Sequence, residues 1–216
     1  MPVSGNFHPW LEEFPGEILP EVFAVVLESW PRFLASLPKR KIEKRITHNF
    51  VRHLRGEVRH RHGFTFDYHY PLVSTDRDVE RGELDIKVTV CLAEDVYFAF
   101  ECKRLYPTRD RPRAEDYVGP GGMGCFLTGQ YNGKAGCGGM IGYVLHGPAR
   151  RARDAVAERV AANPQHLNLL PPRRLVPAEL HPSHPEIELS RHSRPSQGFK
   201  IYHVFLALDQ EPPDAS

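Results

Sequence analysis

Two carboxylates and a lysine lie close together in the middle of the sequence, within segments that alternate apolar and polar residues. Asp85 lies in the segment LDIKVTVCL, and Glu101 and Lys103 lie in the segment VYFAFECKRL. Because side chains alternate between the faces of a strand, Glu101 and Lys103 should project from one face, about 7 Å apart. A hairpin turn at residues 93–95 would bring Asp85 near Glu101 across the ladder.

Converging carboxylates repel each other unless a cation lies between them. Hard oxygen ligands suit Mg²⁺, which proteins commonly hold with one or two carboxylates and water. A lysine beside such a metal can orient or deprotonate a water and can stabilise developing negative charge. Metal, water and lysine together meet the requirements for hydrolysis of a phosphodiester. The plainer alternative is a surface salt bridge between Glu101 and Lys103, and Glu83 competes with Asp85 for the ligand role.

The clearest predicted helix, residues 39–55, carries a carboxylate on its apolar face. The apolar arc of this helix consists of Ile42, Ile46, Phe50, Val51 and Leu54. Basic residues fill the opposite arc, and Gly56 offers a C-terminal stop. Glu43 falls near the middle of the apolar arc, where a carboxylate needs a partner or a metal.

The other elements alternate between helices and strands. A helical lead-in over residues 17–37 contains two prolines, which predict two short helices or one bent helix. The remaining predicted elements are strands at 63–73, 84–92, 96–105, 137–145 and 199–208, a helix around 126–132 and a helix at 149–163. We expect one α/β domain over residues 1–216 with a central mixed sheet flanked by helices. Its predicted parts are the lead-in (1–38), a core (39–163), a proline-rich loop (164–198), the last strand and a polar tail (209–216).

From about residue 40 to residue 145 the pattern resembles the PD-(D/E)xK nuclease superfamily, which includes many restriction endonucleases, resolvases and repair nucleases. Asp85, followed after a hairpin by Glu101-Cys102-Lys103, is similar to the D…(D/E)-x-K signature of that superfamily. Its common core is a helix, a three-stranded meander, a second helix and a further strand, which is the order predicted here. Leu84 stands where many members have proline, a frequent variation. The resemblance implies a restriction-endonuclease-like core.

The resemblance also implies a role for each signature residue. Asp85 and Glu101 would be metal ligands, together with the carbonyl oxygen of Cys102. Lys103 would be the catalytic lysine. Glu43 would be an auxiliary ligand or a group beside the ligands, because the first helix of this superfamily often supplies another carboxylate. The implied cofactor is Mg²⁺ or Mn²⁺.

Several residues are candidates for contacts with nucleic acid. Gln130 and Tyr131 lie where the second helix of the superfamily would stand, and helix packing is the alternative role for both. The loop that leaves the catalytic strand is basic and placed to grip a phosphate backbone, although a solvated loop would look the same. Its arginines are Arg104, Arg109, Arg111 and Arg113. His192 and Arg194, which alternate with Ser190 before the last strand, are further candidates for phosphate contact.

Other metal and phosphate motifs do not fit the sequence. Gly133-Lys134 is followed by Ala135 where a P-loop needs serine or threonine, which argues against ATP binding by that route. The 12 histidines show no zinc-site spacing, so solvated or packed histidines are expected. The cysteines at 91, 102, 125 and 137 form no C-x-x-C pair, which favours free thiols in a reducing compartment.

Composition limits the classes of protein that fit. The 216 residues include 28 Lys plus Arg and 27 Asp plus Glu, giving a net charge of +1. This balance excludes a globally basic surface for nucleic acid, so any polyanion must bind at local patches. The sequence shows no signal-peptide pattern and no apolar stretch of about 18 residues. We therefore expect a cytoplasmic protein that does not enter a membrane.

The sequence thus predicts a metal-dependent endonuclease that hydrolyses phosphodiester bonds, with DNA favoured as the substrate and RNA as the alternative. The segment GGMIGYV at 138–144 resembles the core strand of nuclease-like proteins tied to bacterial phage defence, which makes antiviral defence the expected setting. A homodimer or a partner subunit would supply targeting, since no separate recognition domain is visible. The alternative function is a catalytically silent, nuclease-like subunit that binds nucleic acid or serves in assembly.

Overall fold

The chain forms one mixed β-sheet with helices on both sides. The computed structural model describes residues 14–37, 39, 41–58, 63–73, 80–90, 96–106, 114–131, 135–195 and 197–209. The helices are a 3₁₀ turn at Gly16–Ile18, α1 (Leu19–Leu34), α2 (Glu43–Val58), α3 (Ala114–Val118), α4 (Met123–Leu127) and α5 (Ala149–Ala162). The strands are β1 (Phe64–Val73), β2 (Glu80–Val90), β3 (Tyr97–Leu105), β4 (Cys137–Val144), β5 (Val176–Pro177), β6 (Glu188–Ser193) and β7 (Gly198–Ala207).

The strands follow the order β1-β2-β3-β4-β7-β6-β5 across the sheet. The meander β1-β2-β3 is antiparallel, β4 is parallel to both β3 and β7, and β6 is antiparallel to both β7 and β5. A central mixed sheet in an α/β fold is therefore confirmed. The five strands expected from the sequence correspond to β1, β2, β3, β4 and β7.

Two apolar clusters lie on opposite faces of the sheet. Helices α1 and α2 cover the first cluster, which is rich in aromatic rings such as Phe23, Phe98 and Phe100. Helices α3, α4 and α5 cover the second cluster. The indole nitrogen of Trp30 donates a hydrogen bond of 2.7 Å to the carbonyl of Ala207, which ties α1 to the centre of the sheet.

The amphipathic helix α2 presents the apolar face that the sequence indicates. Its apolar positions at 46, 50, 51 and 54 are buried, because they pack against α1 and the sheet. Ile42 is an exception, since it precedes the helix and is 45% exposed. The expected stop at Gly56 is wrong, because the helix continues to Val58, which is itself buried in the first cluster.

Other helix boundaries also differ from expectation. The lead-in forms a single helix, α1, with Pro20 in the first turn, where a missing N–H costs nothing, and Pro31 inside. The helix expected around 126–132 is instead a turn over most of its length, preceded by the short helices α3 and α4. Among the helices in the described ranges, none has the length and apolar character needed to cross a bilayer.

The proline-rich segment 164–198 is not wholly a loop, which corrects the sequence analysis. Its residues Glu188–Ser193 form β6, which pairs along its whole length with β7. Six prolines of this segment precede β6 and one, Pro195, follows it, so they obscure a strand of 6 residues. The cysteines at 102, 125 and 137 are free thiols, as expected.

A chain of hydrogen bonds runs through the protein interior from α3 to the segment after α5. The Tyr117 hydroxyl lies 3.0 Å from Nδ1 of His203. The Ser190 hydroxyl lies 2.8 Å from Nε2 of His203 and 2.7 Å from Nε2 of His192. Nδ1 of His192 lies 2.7 Å from the carbonyl oxygen of Leu167. Since that oxygen can only accept, Nδ1 of His192 carries a proton and Nε2 of the neutral ring accepts a hydrogen bond from the Ser190 hydroxyl. Ser190 in turn accepts from Nε2 of His203, and Nδ1 of His203 accepts from the Tyr117 hydroxyl.

The two histidines of this chain make the fold sensitive to acid. Burial lowers the pKa of His203 from 6.5 to about 3, so the unfolded state binds an extra proton between these values. The stabilisation is present above pH 6.5 and is lost as the pH falls.

We expect wild type to exceed His203→Gln in unfolding free energy by about 1–3 kcal/mol at pH 7. We expect that difference to shrink by about 2 kcal/mol at pH 5. Urea unfolding at the two pH values measures both quantities. His166→Gln, which alters an exposed histidine, is the control and should leave stability unchanged. A difference for His203→Gln that stays constant with pH would contradict this account.

Candidate active site

The candidate site lies where β2 and β3 stop pairing. The last backbone pair between these strands joins Ile86 to Phe100. Just beyond it, the backbone N–H of Cys102 donates a hydrogen bond of 2.8 Å to Oδ2 of Asp85. A carboxylate thus takes the place of a strand partner. Asp85 is thereby held against the segment 101–103, which is where the hairpin placed it in the sequence analysis.

Glu101 is deeply buried in the site, with 5% of its surface exposed. Its Oε1 accepts a hydrogen bond from the Lys103 ammonium, and its Oε2 accepts one from the Tyr131 hydroxyl. Burial, helped by the negative charge of Asp85, raises the pKa of Glu101 to about 8 against the attraction of Lys103. Glu101 can therefore gain or lose a proton near neutral pH, which is typical of functional sites.

The ammonium of Lys103 lies among oxygen atoms of three residues. It donates hydrogen bonds to Glu101 and, at 3.1 Å, to the carbonyl of Cys102, and it lies 3.9 Å from Oε1 of Glu43. Burial alone would lower the pKa of Lys103, but the attraction of Glu101 and Glu43 outweighs burial and raises it. A protonated lysine favours the orienting role over the deprotonating role.

Glu43, the first residue of α2, reaches the site from the helix side. Its Oε2 accepts a hydrogen bond of 2.7 Å from the backbone N–H of Arg104. The Arg104 guanidinium in turn donates to the carbonyl of Lys41 at 3.3 Å, so the start of α2 is tied to the end of β3. Burial raises the pKa of Glu43, while Lys103 opposes that shift. These contacts supply the partner that a carboxylate on an apolar arc needs.

Glu83, the competitor for the ligand role, points toward β1 and α2. Its Oε2 lies 2.7 Å from Nδ1 of His69 and 3.8 Å from Nζ of Lys44. Asp85, by contrast, bonds directly to the backbone of Cys102. The geometry favours Asp85 over Glu83 as the acidic partner of the β3 residues.

The alternation of side chains breaks beside the site. Ile86 packs in the first apolar cluster and Leu84 in the second, although residues two apart should share a face of a strand. On β1 the same change of face occurs between Tyr68 and Tyr70. His69, between those tyrosines, has a φ of 50°. The irregularity spans both strands and falls at the aspartate of the site.

The turn after α4 contributes a tyrosine that the sequence analysis assigned to nucleic-acid contact. Tyr131 is buried, and its hydroxyl lies 3.1 Å from the carbonyl oxygen of Glu83 as well as against Glu101. In this structure Tyr131 is a positioning residue for Glu101. Gln130 lies over Gly82, where φ is +124° and a Cβ would approach the Gln130 amide to 2.4 Å.

His192 and Arg194, two further candidates for nucleic-acid contact, are used inside the protein. His192 is fully buried in the hydrogen-bonded chain of the second face, so the expected phosphate contact is corrected. Arg194 donates to the carbonyls of Phe126 and Tyr131, and its guanidinium lies 3.8 Å from the Phe199 ring. Arg194 therefore fixes the turn that carries Tyr131.

One residue beside the site was not predicted from the sequence, and two predicted residues lie outside the described ranges. His69 was expected to be solvated or packed like the other histidines, and its left-handed φ inside a strand has no sequence signature. Arg104 is placed at the site through its backbone contact with Glu43. Arg109 and Arg111 lie outside the described residues, so their contact with nucleic acid stays a prediction.

The acidic side chains are not arranged as a ready metal site. Within the described part of the chain, no group of three or more His, Cys, Asp and Glu side chains could hold an ion as they stand. The Lys103 ammonium lies between Glu43 and Glu101 and is itself a cation held by their oxygens. The carboxylate oxygens of Glu43 and Glu101 are therefore suited to a cation, but the Lys103 ammonium already lies between them.

Comparison with known proteins adds no relative. No family model, no curated protein and no solved structure matches the chain. Any functional assignment therefore rests on the residues and geometry described above.

Glu101→Gln should change how stability depends on pH. Because the folded pKa of about 8 exceeds the ordinary value of 4.5, wild type loses stabilisation as the pH rises between these values. Relative to wild type, we expect the unfolding free energy of Glu101→Gln to rise by about 2–4 kcal/mol between pH 5 and pH 8. Urea unfolding measures it, with the exposed Glu115→Gln as control. Parallel pH profiles for Glu101→Gln and wild type would refute the assignment.

Tyr131→Phe should destabilise the protein by removing a donor from buried acceptors. An acceptor left unsatisfied in the interior costs about 1–3 kcal/mol, and we expect a loss of that size in thermal or urea unfolding. Tyr68→Phe is the matched control, because its hydroxyl bonds to the Lys44 carbonyl at an exposed position. It should cost less than about 1 kcal/mol. Equal losses in the two variants would count against a special role for Tyr131.

Proposed function

We propose that this chain is a metal-dependent nuclease that hydrolyses phosphodiester bonds, with DNA as its substrate. The observation that carries the proposal is the meeting of Asp85, Glu101 and Lys103 where β2 and β3 part. Glu43 closes the group from α2. Buried ionisable groups with displaced pKa values are typical of catalytic sites. Burying a charge costs free energy, so such groups are uncommon where they have no function.

The order of the elements supports the same proposal. Helix α2, the meander β1-β2-β3, the short helices α3 and α4, and then β4 follow one another along the chain, and β4 is parallel to β3. This is the order of the PD-(D/E)xK core that the sequence resembles. The aspartate lies on the middle strand of the meander and the E-x-K segment on the third.

A divalent cation, Mg²⁺ or Mn²⁺, would be held by Asp85, Glu101 and the Cys102 carbonyl, with Glu43 beside them. The donor chemistry fits, because oxygen atoms of Glu101, Cys102 and Glu43 already surround the Lys103 ammonium. For such an ion to bind, the Lys103 ammonium would have to leave these oxygens and Glu101 would have to be unprotonated. When bound, such an ion polarises phosphoryl oxygens and acidifies a bound water.

The side chains of the site have separable tasks in this scheme. Lys103, once released from Glu101, is a protonated ammonium that can stabilise negative charge on the phosphoryl group. Tyr131 holds Oε2 of Glu101 and so fixes the direction in which the carboxylate points. Glu43 orients the end of β3 through the Arg104 backbone.

The preference for DNA comes from the resemblance, and RNA is the alternative that an experiment must separate. Antiviral defence, and association as a homodimer or with a partner subunit, are proposed on the same ground. A catalytically silent subunit is disfavoured because Asp85, Glu101 and Lys103 are all present and in contact through side chain or backbone.

The test is cleavage of plasmid, linear duplex and single-stranded DNA and of RNA, each with Mg²⁺, Mn²⁺ or EDTA. Asp85→Ala and Lys103→Ala are compared with Asp154→Ala and Lys200→Ala, which remove the same charges at solvent-facing positions on α5 and β7. We expect metal-dependent cutting by wild type and by both control variants. The two site variants should be slower by at least about 10²-fold.

Each outcome of this assay has a definite reading. Cutting that persists in Asp85→Ala and Lys103→Ala would place the activity elsewhere and refute the site. If wild type leaves every substrate intact, the silent binding subunit becomes the better description. The substrate that is cut distinguishes DNA from RNA.

A further inference from the structure

His69 lies beside the candidate site in a strained backbone conformation. Its φ of 50° is in the left-handed region, which histidine adopts rarely inside a strand. The register of the two strands pairs Tyr68 with Ile86 and Tyr70 with Leu84. His69 therefore faces the position of Asp85 on β2. Strain of this kind persists only where surrounding structure imposes it, and it concentrates at functional sites.

A carboxylate fixes the orientation of the His69 ring. Nδ1 lies 2.7 Å from Oε2 of Glu83, and since a carboxylate oxygen only accepts, Nδ1 carries a proton. In the neutral ring Nε2 then holds the lone pair. The Tyr68 ring stacks on the imidazole with centroids 4.4 Å apart and fixes its plane. With 20% of the side chain exposed, solvent can reach His69.

The proposed hydrolysis needs a group that accepts a proton from the attacking water. The signature residues are engaged with one another in this structure. Lys103 donates hydrogen bonds to Glu101 and to a backbone carbonyl. Asp85 and Glu43 each accept a backbone N–H of β3. His69 differs from them, because it is not among the ligands of the proposed metal, and the contact of Nδ1 with Glu83 leaves a lone pair on Nε2 of the neutral ring.

We propose that His69 is a further catalytic residue, the general base of this site, with Glu83 as its positioning residue; the inference rests on the proposed nuclease function. One proton of the attacking water passes to Nε2 as the water oxygen bonds to phosphorus. The bond from phosphorus to the leaving oxygen breaks, and that oxygen takes a proton from solvent water. The resulting imidazolium is stabilised by the Glu83 carboxylate and returns its proton to the hydroxide left in solvent.

His69→Gly is the sharpest variant for a test. Glycine adopts a φ of 50° without strain and leaves space in which added imidazole can bind. In the nuclease assay we expect cleavage to fall by about 10²–10⁴-fold. The melting temperature should be unchanged or higher, and millimolar imidazole should restore part of the rate. His166→Gly, at an exposed turn, is the control that should cut at the wild-type rate with or without imidazole.

Glu83→Gln tests the positioning residue separately. The amide keeps an acceptor near Nδ1 but removes the charge that stabilises the imidazolium, so we expect about a 10-fold loss of kcat. Calorimetry with Mn²⁺ should give the same affinity for wild type, His69→Gly and Glu83→Gln. A change in Mn²⁺ affinity would move these residues into the metal site and overturn the assignment.

The outcomes separate this inference from the nuclease proposal. If wild type cuts and His69→Gly cuts equally fast, the general base is overturned while the nuclease stands. A loss of cleavage without rescue by imidazole, accompanied by a lower melting temperature, would make His69 structural and also overturn it. If wild type cuts no substrate, the nuclease proposal fails and the general base fails with it.

Discussion

The site depends on a single backbone N–H. Beyond the Ile86–Phe100 pair the N–H of Cys102 is taken by the carboxylate of Asp85 instead of by a strand carbonyl. A buried N–H without an acceptor is costly, so this bond fixes the aspartate against β3. Glu101 lies one residue before that N–H and Lys103 one residue after it. The separation of the reactive groups is therefore set by main-chain geometry rather than by flexible side chains.

The rest of the molecule offsets what this arrangement costs. Glu101 and Glu43 are held where burial raises the pKa of each, which means that their charged forms are disfavoured. The aromatic packing of α1 and α2 against β3 supplies apolar burial on the other side of the same strand. This apolar burial offsets the cost of an unfavourable polar site, in line with the trade-off between stability and activity in enzymes.

Elements with a periodic apolar pattern could be predicted from the sequence, whereas features that depend on a single long-range contact could not. The periods of α2 and β3 located Glu43 and the E-x-K segment, since apolar spacing reports which face is buried. Strict alternation failed at His69, whose φ turns the strand over. It also could not show that His192 points inward, nor that Tyr131 reaches Glu101 across 30 residues of sequence. Prolines on both sides hid β6, because composition outweighed its short alternating pattern.

The place of β7 in the sheet has a consequence for synthesis of the protein. β7 is the last strand described along the chain, yet it lies between β4 and β6 near the middle of the sheet. During translation the meander β1-β2-β3 and then β4 emerge while one edge of β4 still lacks its neighbour. The ribosome must release about 60 further residues, from 145 to 207, before that edge is covered. A nascent chain would therefore contain the strands of the candidate site before its core is complete. Truncation before β7 would remove a strand from the middle of the sheet rather than from its edge.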